Sequence, residues 1–232
     1  MSDGDEPRPS RAFFGRRKGH ALKPQQAALF DTLLPRLELD LEKPAPADLA
    51  SLFPAGTHTV RVEIGFGGGE HLVAEAERFP STGFVGVEPF VNGMAKGLAA
   101  IAARDLKNIR LHFGDAIFLL DWLPPDTISR LDLLYPDPWP KKRHWKRRFV
   151  QDSTIGEMAR ILRSGGELRF ATDWPDYAAW TLQHVMRSAD FEWTAERARD
   201  WRQAWPGFTS TRYEAKAKRE GRSPCYLIFR RG

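Results

Sequence analysis

The chain contains one cysteine, Cys225, among 232 residues. A lone cysteine excludes an internal disulfide framework and the thiolate clusters of a structural zinc site. The six histidines are scattered without ligand spacing, so no metal is expected. No apolar run approaches the ~20 residues that a bilayer-spanning helix needs. Residues 1–8 are polar and lack the apolar centre of a secretory leader. Taken together, these absences lead us to expect a cytoplasmic protein with no membrane partner. Ser-His-Asp and Cys-His constellations for nucleophilic catalysis are missing as well, and there are no internal repeats.

What is present is ordinary in amount and unusual in placement. A hydrophobic share of 42% and a charged share of 28% suit a globular protein with a full core. The net charge of +5 is modest, but the basic residues gather in three stretches, 11–23, 141–148 and 212–222. Brought together by folding, these would form the positive footprint of a phosphate-backbone binder. Eight tryptophans, several beside these stretches, add flat surfaces.

The pattern predicts a flexible basic arm over residues 1–24 and a single domain over 25–232. A short helix is expected over 25–34 and irregular cover over 35–56. A rhythm of seven strands then follows, at 59–64, 84–87, 109–113, 131–135, 167–171, 191–194 and 225–229. Helices are expected over 69–79, from an Asn92 cap to 104, briefly after Asp115, over 149–162 with Ser164-Gly165-Gly166 as its stop, and over 177–189. A long polar loop should separate the last two strands. Such alternation argues an α/β, doubly wound, mostly parallel sheet, whose ligands bind at the carboxyl ends of the strands.

That edge carries the chemistry. Glu63-Ile64-Gly65-Phe66-Gly67-Gly68-Gly69-Glu70 follows the first strand, where glycines let backbone approach a ligand. The dinucleotide pattern G-x-G-x-x-G does not fit, since Glu70 and Leu72 occupy the third positions. Glu63, just ahead of the first glycine, suits a cationic ligand better than a pyrophosphate, and S-adenosylmethionine carries a sulfonium, an ammonium and no phosphate. Glu88 ends the second strand, near the offset at which an acid binds ribose hydroxyls. Asp115 follows the third strand, where it can accept from an adenine amine, and Asn108 and Ile109 are candidates to flank that adenine. After the fourth strand comes Tyr135-Pro136-Asp137-Pro138-Trp139-Pro140, a proline-stiffened turn presenting one acid and one flat aromatic. Six lysines and arginines follow it within residues 141–148.

With these stretches assembled, and with Thr211-Arg212-Tyr213-Glu214 near the C-terminus, the chain resembles the bacterial tRNA (guanine-N7-)-methyltransferase family. The resemblance implies a Rossmann-like methyltransferase fold whose last strand is antiparallel, with S-adenosylmethionine as cofactor and the tRNA variable loop, position 46, as substrate. By motif it implies that Glu63, Gly65, Gly67, Glu88, Asp115 and Asp137 bind the cofactor. Lys141, Asp173, Thr211, Arg212, Tyr213 and Glu214 would contact the substrate, and Arg143, His144, Trp145, Lys146, Arg147 and Arg148 the RNA. Asp137 would be the catalytic residue. Asp173 reads equally as a helix N-cap, and Trp139 or Tyr135 either stacks on the base or packs inside. Guanine N7 has a free lone pair, so transfer to it needs alignment and a carboxylate for the cation that forms, without a base or a metal. Two rivals remain at this level: a methyltransferase for another RNA base, and a non-catalytic RNA-binding protein of the same fold. Monomer and homodimer are both compatible with these features.

Overall fold

The computed structural model describes residues 14, 15 and 17–232. Most of the expected basic arm, residues 1–13 and Arg16, lies outside them. Ahead of the sheet come α1 (Pro24–Thr32) and α2 (Leu34–Leu37). The alternating part then runs β1 (Thr59–Ile64), α3 (Glu70–Arg78), β2 (Thr82–Val87), α4 (Val91–Arg104), β3 (Ile109–His112), α5 (Ala116–Trp122) and β4 (Ile128–Leu134). It continues through α6 (Asp152–Ile161), β5 (Leu162–Thr172), α7 (Pro175–Val185), β6 (Phe191–Trp193), α8 (Ala198–Arg202), α9 (Arg212–Arg219) and β7 (Cys225–Arg231).

Among the described residues the seven strands form one sheet in the order β3-β2-β1-β4-β5-β7-β6. β7 is antiparallel to both neighbours, and the remaining pairings are parallel. The run of apolar and small residues in β2 is that of a strand covered on both faces, and every residue of it is buried. Register matters most for function. Ile64 pairs with Val87 and Leu133, and Val87 with His112. Four carboxyl ends therefore finish level, and the loops after them open onto one edge. Two apolar clusters cover the sheet. Between the sheet and α3 lies a buried ionic network, in which Arg130 donates to both Glu75 and Asp132.

Three local expectations are corrected. Ser164-Gly165-Gly166 does not stop α6, which passes straight into β5. The three residues sit in an irregularity of that strand, where pairing jumps from Ile128↔Leu162 to Arg130↔Glu167. Asn92 does not cap α4. Phe90 holds the cap position, and the Asn92 carboxamide bonds to residues 19 and 20 instead. The supposed loop between β6 and β7 contains α8 and α9. Thr211 is the N-cap of α9, its hydroxyl accepting the Glu214 N–H at 3.2 Å.

Candidate active site

A cavity of about 410 Å³ opens at the level carboxyl ends of β1 to β4. Its floor is Ile64, Val87, Leu133 and Leu134. Gly65 lines it at φ 71°, and Gly69, at φ 81°, caps α3 from the left-handed region that favours glycine. The glycine loop is held from the side by Glu88, which is 7% exposed. One Glu88 oxygen accepts the Gly67 N–H at 2.6 Å and the other the Phe90 N–H at 2.9 Å. Glycine at 93 permits this packing, since a Cβ there would lie 2.8 Å from the Gly67 carbonyl oxygen. Burial pushes the Glu88 carboxyl above its usual pKa, partly opposed by those two N–H donors. Each oxygen keeps a second lone pair for a ligand.

Asp115 and Asp137 face the same cavity. Asp115 is the N-cap of α5, one oxygen accepting the Ile117 N–H at 3.1 Å. The turn that presents Asp137 is strained on both sides, with Tyr135 at φ 52° and Trp139 at φ 44°. A non-glycine residue in this region carries a conformational cost, and such costs concentrate at functional sites. The Asp137 carboxyl keeps access to the cavity mouth, yet the walls remove enough water to push its pKa above the ordinary carboxylate value.

The segment after this turn divides in three. Lys141, Lys142, Arg143 and Lys146 are exposed around a 3₁₀ helix over Lys142–Arg147. His144 packs edge-on to Trp139 at 5.8 Å, and partial burial followed by its cationic neighbours lowers its pKa. Arg147 turns inward and lines the cavity, its guanidinium 5.0 Å from the Trp139 ring and 5.0 Å from the Phe14 ring. Arg148 is fully buried. It donates to the Pro138 carbonyl at 2.9 Å and lies about 5 Å from the rings of Trp145, Tyr177 and Trp180. That position corrects the expectation of an RNA contact at Arg148, because a guanidinium enclosed by aromatic rings is shielded from a phosphate. Trp145 belongs to the same packing, its ring 5.4 Å from Trp180.

Arg212 and Tyr213, in the first turn of α9, line the cavity beside the glycine loop, where a Cβ on Gly67 would lie 3.2 Å from the Arg212 guanidinium. Glu214 points inward at 1% exposure and accepts from Tyr226 and from Lys218. Burial works against its charge, but Lys218, Ser210 and Tyr226 hold the carboxyl below its usual pKa. Asp173 lies outside the cavity lining. Trp174 holds the cap position of α7, and Asp173 pairs with Arg222 at 2.5 Å. Glu63 is likewise outside, buried against His71 Nδ1 at 2.7 Å. Asn108 sits at the opposite end of the sheet, where its amide clamps the carbonyls of Ala76, Phe79 and Thr82. That overturns the adenine-flanking expectation for Asn108 and for its neighbour Ile109, which opens β3.

Sequence reasoning missed Phe14, Phe90 and the inward turn of Arg147. Phe14 carries no motif, and the alternation of faces within a 3₁₀ turn is not visible in a run of like charges. Among the described residues no group of His, Cys, Asp and Glu is arranged to hold a metal ion, and no helix is long and apolar enough to cross a membrane.

Comparison with known proteins adds the following. A family model described as "Putative methyltransferase" matches residues 57–226. The chain is 61% identical to the tRNA (guanine-N(7)-)-methyltransferase of Bradyrhizobium diazoefficiens, over 99% of this chain and 98% of that protein. It is 57% identical to the protein of the same name from Rhizobium meliloti, over 100% of both. Among solved structures, the 16S rRNA methyltransferase KamB superposes with a TM-score of 0.55 at 17% identity, over 82% of this chain and 95% of that one. Precorrin-6y C5,15-methyltransferase from Geobacter metallireducens gives 0.52 at 14%, over 79% and 86%. Both structural likenesses concern the fold.

Proposed function

The chain belongs to the tRNA (guanine-N(7)-)-methyltransferase family, and from that premise we propose that it moves a methyl group from S-adenosylmethionine to N7 of guanosine 46 in the tRNA variable loop. The observation that carries this reading is the cavity edge where Glu88, Asp115 and Asp137 converge, with the exposed Lys141, Lys142, Arg143 and Lys146 following Asp137 along the chain. The residues present fit the cofactor. Glu88 is anchored by two backbone donors with lone pairs to spare for ribose hydroxyls. Asp115 retains an oxygen beyond its cap for an adenine amine, and the acidic lining suits a ligand bearing a sulfonium and an ammonium. S-adenosylmethionine supplies an electrophilic methyl group on that sulfonium.

The chain's own residues do the rest by alignment and charge. Asp137, fixed between two prolines, faces a guanine whose N7 becomes cationic as the bond forms. A carboxylate preset there stabilises the emerging charge without reorganising. It also accepts from guanine N1–H and the exocyclic amine, which orients the base. No proton leaves N7, so Asp137 acts without serving as a base. Lys141, Lys142, Arg143 and Lys146 hold the phosphate backbone, and Arg212 and Tyr213 close the base side. In the cytoplasm the partner is tRNA. The decisive experiment incubates the protein with labelled S-adenosylmethionine and bulk tRNA, digests the product and locates the label. Label in 7-methylguanosine at position 46 is expected, whereas label in another nucleoside or no transfer would overturn the reading.

A further inference from the structure

We propose that Asn92 is a positioning residue for the cofactor: its carboxamide clasps the N-terminal segment so that Phe14 and Gly15 become a wall of the cavity. The inference rests on the reading that this cavity takes S-adenosylmethionine. Three hydrogen bonds register the segment on the first turn of α4. The Val91 N–H donates to the Arg17 carbonyl at 2.9 Å. The Gly19 N–H donates to Asn92 Oδ1 at 2.8 Å, and Asn92 Nδ2 donates to the His20 carbonyl at 2.8 Å. The carboxamide thus satisfies a donor and an acceptor on two adjacent residues, Gly19 and His20. The fit is close, since a Cβ on Gly19 would lie 2.5 Å from Asn92 Oδ1 and 2.9 Å from the Phe90 ring.

Further along, Phe14 and Gly15 line the cavity, and the Phe14 ring faces the Arg147 guanidinium on the Trp139 side. The segment is therefore fixed beside Phe90 on one flank and reaches Arg147 on the other. Phe14 and Gly15 share the cavity lining with Glu88 and Asp137. A ligand held by those acids therefore meets a wall whose place depends on the clasp.

Asn92→Leu removes both side-chain bonds at similar volume, and Gly19→Val breaks the same clasp from the segment's side. Each is expected to weaken binding of S-adenosylhomocysteine, measured by calorimetry without RNA, by about tenfold, the worth of one or two hydrogen bonds. The Michaelis constant for cofactor should rise in step, while turnover at saturating cofactor falls less than about twofold. Asn92→Asp, which keeps the acceptor and loses the donor, should fall between. Because both substitutions break one contact, the double variant should bind no more weakly than either single one. Where Asn92→Leu fails to fold, Gly19→Val changes no residue of α4 and carries the test. Wild-type affinity in Gly19→Val, or effects that multiply in the double variant, would overturn the clasp alone. A wild-type chain that binds no S-adenosylhomocysteine would overturn the cofactor reading and the clasp with it.

Discussion

At the scale of single residues, two carboxylates separate what an acid does by where it stands. Asp137 stands at the cavity mouth, and Asp137→Asn keeps its shape while removing its charge. If electrostatic preorganisation dominates, turnover should fall by about 10²-fold with tRNA binding retained. Single-turnover methylation at the wild-type rate would remove Asp137 from the mechanism. Glu63 stands inside, against His71. Burial disfavours the His71 cation, but the facing Glu63 carboxylate more than compensates, so the imidazole pKa is raised. Burial also raises Glu63, with His71 only partly opposing it. A raised histidine adds stability that is complete below its unfolded pKa of about 6.5 and vanishes as pH climbs through the folded value. The raised carboxyl has the same sign at lower pH, its cost appearing as pH rises above the unfolded value of about 4.5. His71→Asn should therefore be more destabilised relative to wild type at pH 6 than at pH 8.5 in denaturant titrations. A deficit equal at both values would assign His71 to packing alone. Position on a strand end was legible for both acids. Orientation was not, because Glu63 falls one residue before the chain leaves the sheet and its side chain goes to the face that α3 covers.

At the scale of elements, the run of residues 141–148 shows how one sequence feature divides into two roles. A 3₁₀ helix has three residues per turn, so neighbouring cations point in different directions. Lys142 and Arg143 stay in solvent, whereas Arg147 and Arg148 turn toward aromatic rings. Replacing Lys142 and Arg143 by alanine should flatten the salt dependence of tRNA binding by about one to two units of log–log slope. The melting temperature should stay as in the wild type. Arg148→Ala should do the reverse, costing about 2–3 kcal/mol of stability through lost packing and lost cation–π contact. Thermal unfolding and filter binding on the two variants separate these outcomes, and an Arg148→Ala protein as stable as wild type would contradict its structural placement. The strand pattern was readable because apolar runs and β-branched residues declare buried strands. Ser164-Gly165-Gly166 misled because a glycine pair marks a strand irregularity as readily as a helix end. Thr211 to Glu214 read as loop because α9 is only eight residues long, carries few apolar side chains and buries Glu214 and Ala217 rather than large hydrophobic residues.

At the scale of the whole molecule, the sheet sorts charge by depth. The level carboxyl ends of β1 to β4 bring acids from distant parts of the sequence to one cavity, Glu88 buried, Asp115 half-buried and Asp137 at the mouth, while the exposed Lys141, Lys142, Arg143 and Lys146 lie outside its lining. The mostly parallel sheet was legible from the alternation of strands and helices, since right-handed crossovers leave few ways to arrange such strands, whereas the antiparallel last strand was expected from the resemblance alone. The N-terminal wall was not, because Phe14 meets Arg147 only through long-range packing that no local pattern encodes. The sorting has a consequence for ionic strength. On the proposed reading phosphates meet the solvent-facing cations, and such contacts release counterions and are screened by salt. On the same reading the cofactor meets the buried Glu88 and the half-buried Asp115, which salt reaches poorly. Raising salt from about 50 to 200 mM should therefore weaken tRNA binding by about 10²-fold if four phosphates are neutralised. Affinity for S-adenosylhomocysteine should change by less than about twofold. Calorimetry for the small ligand and filter binding for tRNA, in the same buffers, make the comparison. A cofactor affinity that falls in parallel with that for tRNA would mean that the exposed cations, rather than the cavity's acids, dominate both sites.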